Sequence, residues 1–169
     1  MKEKVCYLSA DARKEERDWS REGRAGEATR GASYTLPDGH VIKLGQERFR
    51  APEILFDPEL IGLEYPGVHA IVVDAVSRVD LDLRRALYGN IVLSGGSTCT
   101  KGFGERLLRE VQAAAVKETR IKIFAPPERR FSTWIGGSIL AGLSTFRKMM
   151  CTVDEWHEDA DVIFKKFSS

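Results

Sequence analysis

The residues best placed to do chemistry lie in one run, Leu93-Ser94-Gly95-Gly96-Ser97-Thr98. Two adjacent glycines let backbone approach a ligand with no Cβ in the way, and Ser97 and Thr98 add hydroxyls. The run follows Ile91-Val92-Leu93, an uninterrupted apolar triplet that reads as a buried parallel strand. The glycines therefore stand at the carboxyl end of a strand, where open α/β sheets place ligands, and just before a helix whose free N–H groups favour polar or anionic groups. The pattern is neither GxxxxGK[ST] nor GxGxxG, and taken alone it favours a plain tight turn.

Other candidates are weaker. Gly136-Gly137 falls inside a helical pattern, where each glycine costs about 1 kcal/mol relative to alanine, so a neighbouring element packed on bare backbone is expected there. His40, His69 and His157 have no carboxylate or nucleophile at a telling spacing. Cys6, Cys99 and Cys151 are odd in number and far apart, which supports neither a disulfide framework nor a zinc site. Cys99, just past the glycine turn, is positioned to line whatever that turn approaches.

The elements that must position these residues follow an α/β pattern. Between Asp11 and Arg30 the chain is dense in interleaved charges around Trp19, which reads as a solvated helix to about Trp19 and then a loose connector through Gly23, Gly26 and Gly31. Tyr34-Thr35-Leu36 and Val41-Ile42-Lys43-Leu44 flank Pro37-Asp38-Gly39 as a β-hairpin. A short helix is expected from Ala51, with Pro52 in its first turn, to about Phe56. The next loop carries Leu60, Ile61 and Leu63, either tucked under neighbouring structure or held for a partner, and the residues alone favour the tucked reading.

Val76, Val79, Leu83 and Leu87 share one helical face that ends at Gly89-Asn90, and Phe103, Leu107, Val111 and Ala115 form a second stripe. Residues 121–125 make another strand, Pro126-Pro127 ends it, and Ser132 is placed to cap a third helix that buries Ile135, Ile139, Leu143 and Phe146. The 26 basic and 25 acidic residues leave a formal charge of +1, which disfavours a nucleic-acid binder. No apolar run is long enough for membrane insertion and the first residues hold no signal-peptide core, so the expected setting is cytosolic or nuclear.

Together these motifs say more than they do singly. Lys2-Glu3-Lys4-Val5-Cys6-Tyr7, residues 34–39, Arg48-Phe49-Arg50-Ala51-Pro52-Glu53, residues 90–98, Ala125-Pro126-Pro127-Glu128-Arg129 and residues 134–141 resemble the actin family in order and spacing across nearly the whole chain. Leu83-Arg84-Arg85 and residues 101–108 are more similar to the centractin branch, the filament subunits of dynactin. The resemblance implies an α/β fold, the carboxyl-terminal half of the one shared by actin, hexokinase and the heat-shock ATPases, with a ribonuclease H-like layer pattern. On that frame, residues 1–75 belong to the smaller subdomain of the second lobe, with 11–33 as a charged connector. Residues 76–150 belong to its larger subdomain, and 151–169 form a helical tail that departs from the family's usual ending.

The resemblance also implies a nucleotide, ATP or ADP, against this chain. Lys2 and Glu3 match the pair beside adenine and ribose, and Gly95, Gly96 and Ser97 match the glycine turn that passes the nucleotide. Cys99 and Thr100 stand for a larger Met-Tyr pair flanking the base, and Arg130 stands for a lysine near the adenine. The family's phosphate loops, with their metal-holding aspartates, lie upstream of the matched segment. No ATPase activity is expected from this chain alone, and magnesium would join only with those loops.

By the same resemblance, Leu60, Ile61, Gly62 and Leu63 correspond to a hydrophobic plug between filament strands, which turns the reading of that loop toward partner contact. Residues 79–82 and 116–119 correspond to contacts along a strand. Leu140, Leu143, Thr145 and Met149 match a groove that accepts amphipathic helices, although helix core would give them the same periodicity. The expected partners are actin-like subunits, dynactin components or other actin-binding proteins in the cytoplasmic cytoskeleton. The alternative is a stand-alone capping or regulatory module that does not hydrolyse ATP. In either case a sheet short of strands should leave the isolated chain sticky or marginally stable.

Overall fold

The computed structural model describes residues 1–167; the tail expectation for Ser168 and Ser169 lies outside them. Two compact units are present, Met1–Arg130 and the residues from Phe131 onward, and the division falls within the 76–150 segment. None of the helices described is long and apolar enough to cross a membrane.

The first unit opens with α1 (Lys2–Val5), α2 (Ala12–Glu22) and α3 (Arg24–Arg30). Asp11 caps α2 by accepting from the Lys14 N–H at 2.9 Å, and that bond holds its carboxyl below the usual range. The expected loose connector is helical instead. Ala, Glu and Arg outweigh Gly26 in propensity, and the chain turns between the two helices at Gly23. Trp19 is 2% exposed, its ring against Gly26 and Gly45, so the charged stretch buries an anchor after all.

The hairpin forms as expected. β1 (Ala32–Thr35) and β2 (Val41–Leu44) pair antiparallel, with Ala32 opposite Leu44 and Thr35 opposite Val41. The next helix is displaced from its expected position: α4 spans Glu47–Glu53, and Pro52 sits in its last turn rather than its first. A proline there leaves the Arg48 carbonyl without its helical donor, and the Tyr7 N–H donates to that carbonyl at 3.0 Å. The defect in α4 thus becomes the dock for the segment after α1.

Arg48 reinforces the dock. Its Nε–H donates to the Val5 carbonyl at 2.9 Å, and its guanidinium lies 5.1 Å from the Tyr7 ring centre. The Tyr7 hydroxyl donates to Glu15, and burial together with that bond pushes its pKa up to about 12.

The expected single helix over Val76 to Leu87 is two, α5 (Val68–Ser77) and α6 (Leu81–Tyr88). Arg84 explains the break, donating to the Val79 and Ser77 carbonyls at 2.9 and 2.7 Å and so capping the end of α5. Val76 is buried, but Leu83 and Leu87 are exposed.

β3 (Ile91–Val92) and β4 (Ile123–Phe124) pair in parallel, and α7 (Phe103–Ala114) joins their ends. Phe103, Leu107 and Val111 of α7 meet Leu8, Phe56, Val76, Tyr88, Leu93 and Ile121 in the core. Gly102, before α7, cannot be larger, because a Cβ there would lie 2.6 Å from the Leu8 carbonyl oxygen.

Arg106 of α7 ties this core to α4. Its guanidinium donates to both Glu53 carboxylate oxygens at 2.7 and 2.8 Å, to Glu110 at 2.7 Å and to the Ser9 carbonyl at 2.9 Å, and it lies 4.9 Å from the Phe56 ring centre. The Arg106 and Glu53 side chains are 10% and 7% exposed. Partial burial of Glu110 opposes its ionisation, but Arg109 and Arg106 outweigh it and hold that carboxyl below its ordinary value.

The second unit holds α8 (Ser132–Gly142), α9 (Phe146–Met149), α10 (Val153–Glu158) and α11 (Val162–Phe167). Phe131, not Ser132, occupies the N-cap of α8. Its expected buried face is largely not buried: Ile139 and Leu143 are exposed, and Ile135 and Phe146 are half-buried. Nothing among the described residues lies within 4 Å of a Cβ built on Gly136 or Gly137, so no described element packs on that bare backbone. Periodicity marks an apolar face without saying what covers it.

Thr152 and Glu155 form a reciprocal capping box on α10, and Lys166 of α11 donates to both Glu155 carboxylate oxygens at 2.8 Å and to the Met150 carbonyl at 2.9 Å. The bond from Lys166, with that from the Thr152 N–H, holds the Glu155 carboxyl low.

Breaking the buried pair by Glu53→Gln should cost about 3 kcal/mol, since removing one partner leaves a charge without compensation. Asp74→Asn, which breaks the exposed Arg78 pair, should cost less than about 0.5 kcal/mol. Urea unfolding of the purified chain checks both, and equal midpoint shifts would contradict the assignment.

Candidate functional site

The glycine run leaves β3 as expected and turns sharply. Gly95 has φ 89° and ψ 157°, a region essentially reserved for glycine. Its N–H donates to the Arg129 carbonyl at 2.8 Å, and its carbonyl accepts from the Thr98 N–H at 3.2 Å and the Thr98 hydroxyl at 2.7 Å. Gly96–Cys99 then forms a single 3-10 turn.

Arg129 clamps this turn from the segment after β4. Its guanidinium donates to the Thr98 hydroxyl at 3.2 Å and the Thr98 carbonyl at 3.1 Å, and to the Pro126 carbonyl at 3.0 Å. With the Gly95 bond, these contacts tie the carboxyl ends of both strands together.

Seven of the eight residues expected at a nucleotide line one cavity of about 410 Å3: Lys2, Glu3, Gly96, Ser97, Cys99, Thr100 and Arg130. Gly95 is not on its wall and acts as the turn that sets it. Arg130 pairs with Glu3 at 3.2 Å, which brings the first turn of α1 to the end of the unit. That pair is exposed, so it contributes little stability while holding a carboxylate and a guanidinium side by side.

Sequence reasoning missed the rest of the lining. Ala51, Pro52, Ile54 and Leu55 extend from the end of α4 and supply apolar surface, and Cys6 adds a thiol. Arg129 was also missed, because Arg130 beside it carried the expectation. No spacing signal joins these residues, which come from segments far apart in the chain.

The lining combines charge, apolar surface and bare backbone. Its size falls within the roughly 300–1,000 Å3 of small-molecule sites. A carboxylate beside a cation, an apolar wall and a bare glycine backbone can respectively accept from sugar hydroxyls, pack a base and admit a polar group closely. A larger groove of about 930 Å3 lies elsewhere in the unit, between the hairpin and the loop bearing Leu60 and Ile61.

The loop residues are not tucked: Leu60, Ile61 and Leu63 are 49%, 58% and 43% exposed, and Gly62 follows the 3-10 turn Pro58–Ile61. Leu81 and Val116, in the two expected strand-contact segments, are exposed as well. In the second unit Leu140, Leu143, Thr145 and Met149 are all exposed rather than core.

A protein-family model described as Actin matches residues 1–168. An actin-like protein of Neurospora crassa is 67% identical over 168 residues, which are 99% of this chain and 44% of that protein. Centractin of Saccharomyces cerevisiae is 46% identical over 164 residues, 97% of this chain and 42% of that protein. The chain thus spans less than half the length of these relatives.

Gly95→Ala should destabilise the chain by about 1–3 kcal/mol through backbone strain. Gly96→Ala, where a Cβ meets nothing within 4 Å, should stay within about 0.5 kcal/mol. Thermal unfolding of the two variants checks this, and equal losses would contradict the distinct roles.

Proposed function

The chain belongs to the actin family, and from that premise we propose that its first unit carries the adenosine-facing side of an ATP or ADP site in a centractin-like filament subunit. One observation carries the reading: residues from α1, the glycine turn and the end of the unit, remote in sequence, line a single cavity of nucleoside size. Glu3 would accept from the ribose hydroxyls, Arg130 and Lys2 would lie beside the base, and Gly96 and Ser97 would face the phosphate side. A bound nucleotide would bring its phosphates, which the bare Gly96 backbone leaves room to approach.

Filament assembly with actin-like subunits or dynactin components is part of the same proposal. It is supported by the exposed Leu60, Ile61 and Leu63, apolar side chains that solvent alone does not favour. Exposure of Leu140, Leu143 and Met149 likewise suits the helix-accepting groove. A cytoplasmic, cytoskeletal setting follows from that role. The parallel pair β3-β4 with α7 against it is our reading of the ribonuclease H-like layer.

We further propose that this chain by itself does not hydrolyse ATP. Among the described residues, Glu3 is the one carboxylate lining the cavity, and no group of three or more metal-ligating side chains is present.

Fluorescent ADP should bind the purified chain saturably. Glu3→Ala should weaken it about tenfold, the loss of a charge-assisted hydrogen bond, and Gly96→Val should weaken it at least as much. Magnesium-dependent phosphate release should stay at background. No saturable binding, or binding indifferent to both substitutions, would overturn the site.

A further inference from the structure

Two of the three cysteines face the same cavity. Cys99 ends the 3-10 turn on the glycine side, Cys6 follows α1, and both thiols are free. The backbone brings them together. Tyr7 forms a parallel bridge with Lys101, and the Leu8 N–H donates to the Lys101 carbonyl at 2.8 Å. Cys6 directly precedes Tyr7 and Cys99 lies two residues before Lys101, so both cysteines flank this bridge. A disulfide needs its Cα atoms within about 4.4–6.8 Å of each other, and this bridge holds the two segments side by side. Cys6 and Cys99 both line the cavity, so the two thiols border one space. Cys99 Sγ makes one weak contact, donating to the Gly95 carbonyl at 3.9 Å, which leaves the thiol free to turn.

We propose that Cys6 and Cys99 are a peroxide-oxidisable pair whose disulfide closes this cavity. The Cys99 thiolate, the more exposed, attacks one oxygen of a hydroperoxide; the O–O bond breaks, and the departing oxygen takes up a proton as water or an alcohol. The resulting sulfenic acid is attacked at sulfur by the Cys6 thiolate, the S–O bond breaks, and hydroxide leaves with a proton as water. In total the two thiols lose two electrons and two protons, and the peroxide is reduced. The bond joins the end of α1 to the glycine turn across the space between them. Its effect on nucleotide binding rests on the adenosine reading above; the bond itself does not.

The test is treatment of the purified chain with hydrogen peroxide, thiol blocking and non-reducing peptide mapping. A Cys6–Cys99 linked peptide is expected, retained in Cys151→Ser and lost in Cys6→Ser. ADP at about ten times its Kd should slow linkage roughly tenfold, because only the unliganded fraction reacts. Over-oxidation of Cys99 with no linked peptide, or linkage to Cys151 instead, would overturn the pair. Linkage at the same rate with and without ADP would uphold the pair and count against the nucleotide reading.

Discussion

The buried contact between Arg106 and Glu53 is the constraint on which the first unit depends. A guanidinium removed from water must find partners for its donors, and here they come from Glu53 at the end of α4, Glu110 one turn along α7, and the backbone of Ser9. Phe56 covers its face. The arrangement fixes α4 against α7 with the segment after α1 between them. Two parts of the cavity lining continue from those elements. Ala51 to Leu55 continue from the α4 end that Glu53 anchors, and the glycine turn leads into α7 through Gly102.

Smaller pins complete that frame without adding much burial. Pro52 removes one donor from α4, and the Tyr7 N–H takes its place, so a break in one helix becomes the attachment point of another segment. Arg129 closes the far side by gripping Thr98 and the chain after β4. The site is held mainly by hydrogen bonds to backbone, which define position more sharply than apolar contact does. The apolar side chains of the loop at Leu60, Ile61 and Leu63 and of Trp134, Ile139 and Leu140 on α8 contrast with this, since they stand exposed. This chain covers 44% of the Neurospora relative and 42% of the yeast one.

Local patterns in the sequence specify part of this. The hairpin, the strand entering the glycine run and the Phe103, Leu107 and Val111 stripe depend on neighbours within a few residues, and each formed. Failures arose where distant partners decide. Pro52 reads as a helix start until Tyr7 supplies the missing donor. Val76 and Leu87 share a helical period across a break that Arg84 stabilises from beyond it. Ile139 and Leu143 look like core because period records which face is apolar, not what covers it. The site itself was legible only through family resemblance, since no spacing rule connects Glu3 with Arg130 or either with Ile54.

The central claim is that this cavity receives the adenosine end of a nucleotide. Amide chemical-shift mapping of the purified chain during titration with ADP tests it most directly. Saturable shifts concentrated on Glu3, Cys6, Gly96, Cys99, Thr100 and Arg130 are predicted. Shifts centred on the hairpin groove near Leu44 and Ile61, or none at concentrations that saturate actin-family proteins, would contradict it.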